Sequence, residues 1–572
     1  MGLSSVGSII AKTLKRMGFY MHVDREFPSL IKGGHANVQI DFSNEPVHCL
    51  SNQVDIVVAL DRVGLEEYVS TLKPGGTLIH GYERHQLIKG LKAKAEERKL
   101  NVLYLPARQI SYNFGGNEPI ATMVLIGLLW KALGFDLSEL EEEVRARYGK
   151  NPEFLRLDLL CLHEGYKTPS PTLPLGRVRE NAPPPAKEGA GGRSLLLNGN
   201  QALALGAIHC GVRAYYAYPM SPSSSILTNM ANWANEYGLV VKQGEDEITV
   251  AQMAIGSMHM GTRALAATSG GGFDLMTETV SMAGMIECPL VIIIAQRPGP
   301  ATGLPTWTSQ GDLNLAIFSA HGEFPRIVVA ASDQTSCFEL IQHAFNLAEE
   351  FQTPVMLLTE KQIAEAETTI PPFEQNNIPI KRGLVEGEEL KNLKSEDRYK
   401  ITENGISKRW LPGSSKAFYF ANSDEHWESG VLTEEGEKAG MMMDKRMRKT
   451  KAIEAALPEP VVHGPAKADI SFIGWGSSKG MMLDVIASTE LVQSASVNYL
   501  HFDYLWPLKV EKLKQFFAEN SNVHLIENNY QGQLGNLIEG ATGLKFKGRL
   551  LKWNGRPFFL EEVFNYTLNP QP

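Results

Sequence analysis

The run PLVIIIAQ (residues 289–296) restricts what this chain can fold into more than any other stretch. Its apolar residues follow one another without alternation, so the strand they form must be covered on both faces, the condition of a parallel sheet between two layers of helices. RALAATS (263–269) and TPVMLL (353–358) read the same way, and helical stretches such as GNQALALGAIHCG (199–211) lie among them. The fold class is therefore α/β, with open parallel sheets.

At 572 residues the chain is too long for one core, and a typical domain of about 150 residues suggests about three or four. Residues 1–165 alternate strand-like runs, VDIVVALD (54–61) and GTLIH (76–80), with charged amphipathic stretches. An open α/β unit normally begins with a buried strand feeding a glycine turn, yet this chain opens on GLSSVG and IIAKTLKRMG. The first strand is expected to be missing or to come from elsewhere. Residues 166–193, with TPSPTLP and NAPPPAKEG, have the composition of an extended linker. Residues 194–380 form the Gly-rich α/β block, and 381–465 a charged, weakly periodic connecting segment expected to be ordered. The last α/β domain, 466–572, starts at ADISFIGWGSSKG.

Hydrophobic residues at 43% and charged residues at 21% are the ordinary balance of soluble globular chains. Lys and Arg number 55 against 64 Asp and Glu, a net charge of −9, so no global positive field exists to hold nucleic acid or anionic lipid. Cys49, Cys161, Cys210, Cys288 and Cys337 form no CxxC pair, which excludes a zinc or iron–sulfur site built from this chain's cysteines alone. They read as reduced, buried thiols of a cytoplasmic protein. No run reaches the roughly 18 apolar residues of a membrane span, and the opening residues mix Lys and Arg into a helical pattern unlike a signal peptide.

The loops TSGGG (268–272), RPGPATGLPT (297–306) and SQGD (309–312) each follow a strand-like run. Singly each is a turn; together, at the ends of parallel strands, they point to a polar ligand site. Glu245, Asp246 and Glu247 open a helix, where capping and the macrodipole account for acids without any ligand. In YPMSPSSSI (218–226), Ser221 precedes Pro222 and is biased to extended backbone, while Ser223 and Ser224 serve as helix caps or as ligand donors. Arg297, directly after a buried strand, needs an anionic partner, and its planar fork suits a carboxylate. Gly474, Gly476 and Gly480 form a strand-to-helix turn that departs from G-x-G-x-x-G; a plain tight turn explains it, and an anion cradle is the alternative. A nucleotide-binding dehydrogenase with such units at both ends is the rival class, although neither glycine turn has the full fingerprint.

The succession GNQALALGAIHCG, YPMSPSS, EDEITVAQMAIG, TSGGGFDLMTE, RPGPATGLPTWTSQGDL, HGEFPR and FNLAEEFQTPVMLLTE resembles the α subunit of the 2-oxoacid:ferredoxin oxidoreductases, where the corresponding stretches read like YPITPSS and TSGPG. DREFPSLIKGGHANVQI resembles the γ domain of those enzymes, and ENNYQGQL (527–534) their later α domain. The fused γ–α arrangement is most similar to the large subunit of the 2-oxoglutarate or broad-specificity 2-oxoacid enzymes, which work with a separate β subunit. The resemblance implies a thiamine-diphosphate-binding-like middle domain and a transketolase C-terminal-like last domain. It implies oxidative decarboxylation of a 2-oxoacid, 2-oxoglutarate before pyruvate or branched-chain acids, or the reverse carboxylation. Coenzyme A would take the acyl group and a [4Fe–4S] cluster would pass electrons to ferredoxin.

This chain lacks a GDG followed about 25–30 residues later by Asn, the signature that holds Mg2+ and diphosphate. The resemblance accordingly puts Mg2+ and the cluster on a separate β subunit, with thiamine diphosphate shared between the two chains, in a heterodimer or a dimer of heterodimers.

By the same resemblance Glu247 is the acid that hydrogen-bonds the aminopyrimidine ring, with Glu245 the competing choice, and Ser221 donates a hydroxyl to the 2-oxoacid. Arg297 clamps the substrate carboxylate, and Pro222, Thr268, Ser269 and Gly270 line the cofactor. Lys32, Gly33, Gly34 and Thr302 take weaker roles near coenzyme A or substrate, a solvated lysine being the other reading of Lys32. TSGGG replaces the family's TSGPG, and Ala301 stands where the family often has Ser.

Overall fold

The computed structural model describes residues 3–27, 34–84, 90–169, 194–374, 378–488 and 495–569. The chain divides into two units: Met1–Leu196 with Glu367–Pro372 and Phe559–Glu561, and Leu197–Ala366 with Phe373–Phe558 and Glu562–Pro572.

In the first unit the amphipathic helix Leu3–Arg16 leads into an antiparallel pair, Tyr20–Glu26 against Asn37–Ser43. A strand from far along the chain, Glu367–Ile370, lies antiparallel on the other side of Tyr20–Glu26, with His22 opposite Thr368 and Val23 opposite Glu367. Leu195–Asn198, where the chain passes into the second unit, completes this four-stranded sheet. A separate parallel sheet, in the order Val54–Ala59, Leu72–His80, Asn101–Tyr104, contains the two strand-like runs named above.

The helix Glu118–Ala132 is apolar on every side and buried from Ile120 to Trp130, so it forms the core of the unit rather than a face of it. It crosses Pro152–Lys167 with backbones in contact. A Cβ on Gly127 would stand 2.1 Å from Leu162 O, and one on Gly165 would stand 1.9 Å from Val124 O. Burial pushes the Asp158 carboxyl on this second helix up to about 6, and its Oδ1 has no hydrogen-bond partner among the described residues.

The second unit holds a seven-stranded sheet in the order Tyr504–Trp506, Ile327–Ala330, Pro354–Glu360, Leu290–Gln296, Ala264–Thr268, Ala214–Ala217, Val240–Gln243. All neighbours are parallel except the edge pair made by Tyr504–Trp506. Leu290–Gln296 and Pro354–Glu360 are buried along their whole length, as their unalternated apolar sequence requires. A second sheet runs Val461–His463, Val497–Phe502, Ile470–Trp475, Val523–Glu527, Gly548–Leu551, antiparallel only at its first pair.

The segment between these sheets is irregular apart from short 3-10 turns and the helix Gly436–Ala456. Buried ion pairs tie it down. Glu349 accepts from Arg263 at 2.8 Å, Arg382 at 2.9 Å and Arg409 at 3.2 Å, and Glu287 pairs with both Lys445 and Lys449. Burial alone would raise the Glu287 carboxyl, but the two lysines outweigh it and hold the group well below the usual carboxylate range.

All five cysteines are buried, and burial pushes the Cys161 and Cys210 thiols up to about 11, away from reactive thiolate. Among the described residues no helix is long and apolar enough to cross a membrane.

Candidate active site

Four adjacent parallel strands of the seven-stranded sheet deliver the predicted site residues at their carboxyl ends, where open α/β sheets bind ligands. Leu290–Gln296 ends at Arg297, Ala264–Thr268 at Thr268 and Ser269, Ala214–Ala217 in the loop holding Ser221 and Pro222, and Val240–Gln243 in the turn before Glu247.

The three consecutive acids part company here. Glu245 is exposed, and Asp246 caps the helix Glu247–His259 by accepting from Thr249 N at 2.7 Å. Glu247 is buried at 3% exposure, and its Oε1 has no hydrogen-bond partner among the described residues. A carboxylate oxygen left so is costly unless a ligand donor meets it. Capping therefore explains Asp246 and leaves Glu247 unexplained. Glu247 lies over the head of the helix Gly270–Met285: a Cβ on Gly272 would stand 2.1 Å from Thr268 Oγ1 and 2.6 Å from Glu247 Oε1.

Arg297 Nη1 donates to Ser221 O at 2.9 Å, which ties the ends of two strands together. Burial lowers the guanidinium's proton affinity and the Asp312 carboxylate opposes that shift. Pro222 O accepts from Asn200 Nδ2 at 2.8 Å, and the same amide reaches Ser225 Oγ at 2.7 Å. Ser269 Oγ donates to Met220 Sδ at 2.6 Å. Ser223 occupies the cap position of its helix, but its hydroxyl turns back to Met220 O at 2.7 Å instead of capping.

Ser221, Pro222, Arg297, Thr268, Ser269, Gly270 and Glu247 thus gather around the loops at this one end of the sheet. Thr302 is exposed in the loop after Arg297, where the neighbouring Ala301 carbonyl lies 3.8 Å from a Cβ built on Gly271. Gly34 belongs to the first unit and has a φ of 151°, a conformation that favours glycine. Lys32 and Gly33 lie outside the described residues.

Sequence reasoning passed over Asp312. Burial is the main cause that pushes its carboxyl up to about 7, and a Cβ on Gly270 would stand 2.5 Å from its Oδ2. At the Gly474–Gly476 turn a carboxyl group of this chain takes up a backbone donor at the helix start. The Ser477 N–H donates to Glu360 Oε1 at 2.9 Å, and Gly476, at φ 59°, leaves room for Gln310 and Glu360.

The family model for pyruvate ferredoxin/flavodoxin oxidoreductase matches residues 1–168, and that for its thiamine-diphosphate-binding part matches 205–444. A 2-oxoacid:ferredoxin oxidoreductase subunit alpha of a Sulfolobus species is 30% identical over 98% of this chain and 94% of its own length. The chain belongs to the alpha subunits of the 2-oxoacid:ferredoxin oxidoreductases. Among the family's relatives, a 2-oxoglutarate synthase subunit KorA of Methanothermobacter thermautotrophicus is 40% identical over 65% of this chain and 98% of its own. Among solved structures, the 2-oxoglutarate:ferredoxin oxidoreductase of Magnetococcus marinus, with 2-oxoglutarate, coenzyme A and succinyl-CoA bound, superposes with a TM-score of 0.87. It is 28% identical, and the match covers 98% of this chain and 96% of that one. The chain is therefore an enzyme subunit with the α/β fold of a ferredoxin oxidoreductase, and the dehydrogenase alternative falls.

Proposed function

We propose that this chain supplies one half of the active site of an enzyme that converts 2-oxoglutarate and coenzyme A to succinyl-CoA and CO2 while reducing ferredoxin, or runs the reverse carboxylation. The observation that carries the reading is the buried Glu247 Oε1, which has no hydrogen-bond donor among the described residues and lies against Gly272, where there is no room for a Cβ. The residues fit thiamine diphosphate, which when bound supplies the carbon nucleophile and electron sink for decarboxylation. Glu247 would hold a proton at a ring nitrogen of the pyrimidine, and Thr268, Ser269, Gly270 and Pro222 would line that ring. Arg297 would clamp the substrate carboxylate and Ser221 would donate its hydroxyl to the 2-oxoacid, which places the reacting carbon by positioning rather than by new chemistry.

The KorA relative and the Magnetococcus enzyme support 2-oxoglutarate over pyruvate or branched-chain acids. The chain carries no diphosphate-binding signature, which supports a separate β subunit bearing Mg2+ and a [4Fe–4S] cluster. The proposed complex is a heterodimer or a dimer of heterodimers in the cytoplasm, with Lys32, Gly33, Gly34 and Thr302 near coenzyme A or the distal end of the substrate.

The test is to co-express the chain with its β partner, purify the complex anaerobically, and follow coenzyme-A-dependent viologen reduction with 2-oxoglutarate, pyruvate and 2-oxoisovalerate. Activity requiring both chains, highest with 2-oxoglutarate and lost in Glu247→Ala, is the expected result. An unchanged rate in Glu247→Ala would sink the catalytic role of Glu247.

A further inference from the structure

Asp312 has no part in that reading, yet its surroundings are specific. Its backbone N–H donates to Gln296 Oε1 at 2.9 Å, which fixes it beside the end of the strand that delivers Arg297. Its carboxylate faces the head of the helix Gly270–Met285, in space that exists only because residue 270 has no side chain. Oδ2 is buried and has no hydrogen-bond partner among the described residues. Two charged groups act on it from the elements packed around it. Asp274, on the glycine helix, favours its protonated form, and Arg297 favours its charged form; burial, the largest influence, sides with Asp274.

A buried carboxylate oxygen with no donor is costly as an anion, and beyond the helix head the charged group that offsets this cost at Asp312 is Arg297. An anion docked on Arg297 has to share that cation. Resting on the assignment of Arg297 as the carboxylate clamp, we infer that Asp312 is a positioning residue that takes up one proton from solvent when a 2-oxoacid carboxylate binds Arg297. Its neutral carboxyl then stays against the helix head without repelling the substrate. Proton and substrate binding are coupled reciprocally, so substrate affinity falls as Asp312 ionises.

The experiment uses the intact complex with 2-oxoglutarate. KM is followed from about pH 6 to about pH 9, and proton uptake is measured by calorimetric titration in two buffers of different ionisation enthalpy. In the natural enzyme KM should rise about fivefold to tenfold as pH climbs past about 7, with net proton uptake on binding. Asp312→Asn should flatten the KM profile and abolish the uptake. Asp274→Asn should move the rise to lower pH, because Asp312 then ionises more readily. A KM profile and proton uptake unaltered in Asp312→Asn, or a rise that stays in place in Asp274→Asn, would overturn the inference. Failure of the underlying reading looks different: Arg297→Lys would leave KM unchanged even at about pH 6, where Asp312 is neutral.

Discussion

Glu247 Oε1 lies 2.6 Å from the point a Cβ on Gly272 would occupy, so the acid that opens one helix and the glycine near the head of the next share a single space. Gly272→Ala would push the carboxylate aside and strike Thr268 Oγ1. The expected outcome is a stability loss of about 1–3 kcal/mol from overpacking. Turnover at saturating substrate should fall by more than about tenfold, since displaced catalytic groups lose that much readily. Thermal unfolding and turnover, measured on the same preparation, separate the two effects. A variant as active as the natural enzyme would show that this space is not used in catalysis.

Asp158 makes the stability of the first unit depend on pH. Its folded carboxyl titrates near 6, above its unfolded value of about 3.9, so its contribution is full below about pH 4 and is lost as pH rises through 6. Asp158→Asn should therefore stabilise the protein at about pH 7.5, by about 1–2 kcal/mol after allowance for solvent screening. The gain should vanish near about pH 4. Chemical denaturation at the two pH values checks this, and an equal shift at both would refute it.

Gly165 and Gly127 hold two helices at backbone contact. An alanine at Gly165 would set its Cβ 1.9 Å from Val124 O, and neither partner there is a flexible side chain that could yield. The helices must separate, at a loss of about 3 kcal/mol or more. A circular-dichroism melt of Gly165→Ala within a degree of the natural protein would contradict the crossing.

The Glu287 pairings predict a large effect from a single neutral substitution. Glu287→Gln leaves Lys445 and Lys449 buried without their counter-charge and should destabilise by about 3–5 kcal/mol near neutral pH. Because the carboxyl is held below its ordinary value, this contribution is present above about pH 4.3 and disappears as pH falls further. Acid titration of the unfolding free energy should be flatter in the variant than in the natural protein.

Parallel strands such as Leu290–Gln296 were legible because burial on both faces leaves an unbroken apolar run in the sequence. Glu367–Ile370 was not, since four residues reading ETTI carry no sign of the partner strand Tyr20–Glu26 hundreds of positions earlier. Glu245, Asp246 and Glu247 are indistinguishable by type and separate only when the helix start fixes which one caps and which turns inward. Asp312 lay in a loop already marked by its glycine. Its meeting with Gly270 depends on how two loops pack, and no local pattern encodes that.

The insertion of Glu367–Ile370 between Tyr20–Glu26 and Leu195–Asn198 sets an order of events during synthesis. A nascent chain that has just released Asn198 from the ribosome lacks an inner strand of this sheet, which leaves two edges unpaired where two strand pairings should be. At about 5–20 residues per second, the missing strand emerges on the order of ten seconds or more later. By then most of the large parallel sheet has already been made. Glu367–Pro372 belongs to the first unit yet is made only after Leu197–Ala366, so a chain cut at Leu196 would leave the first unit without one of its own inner strands.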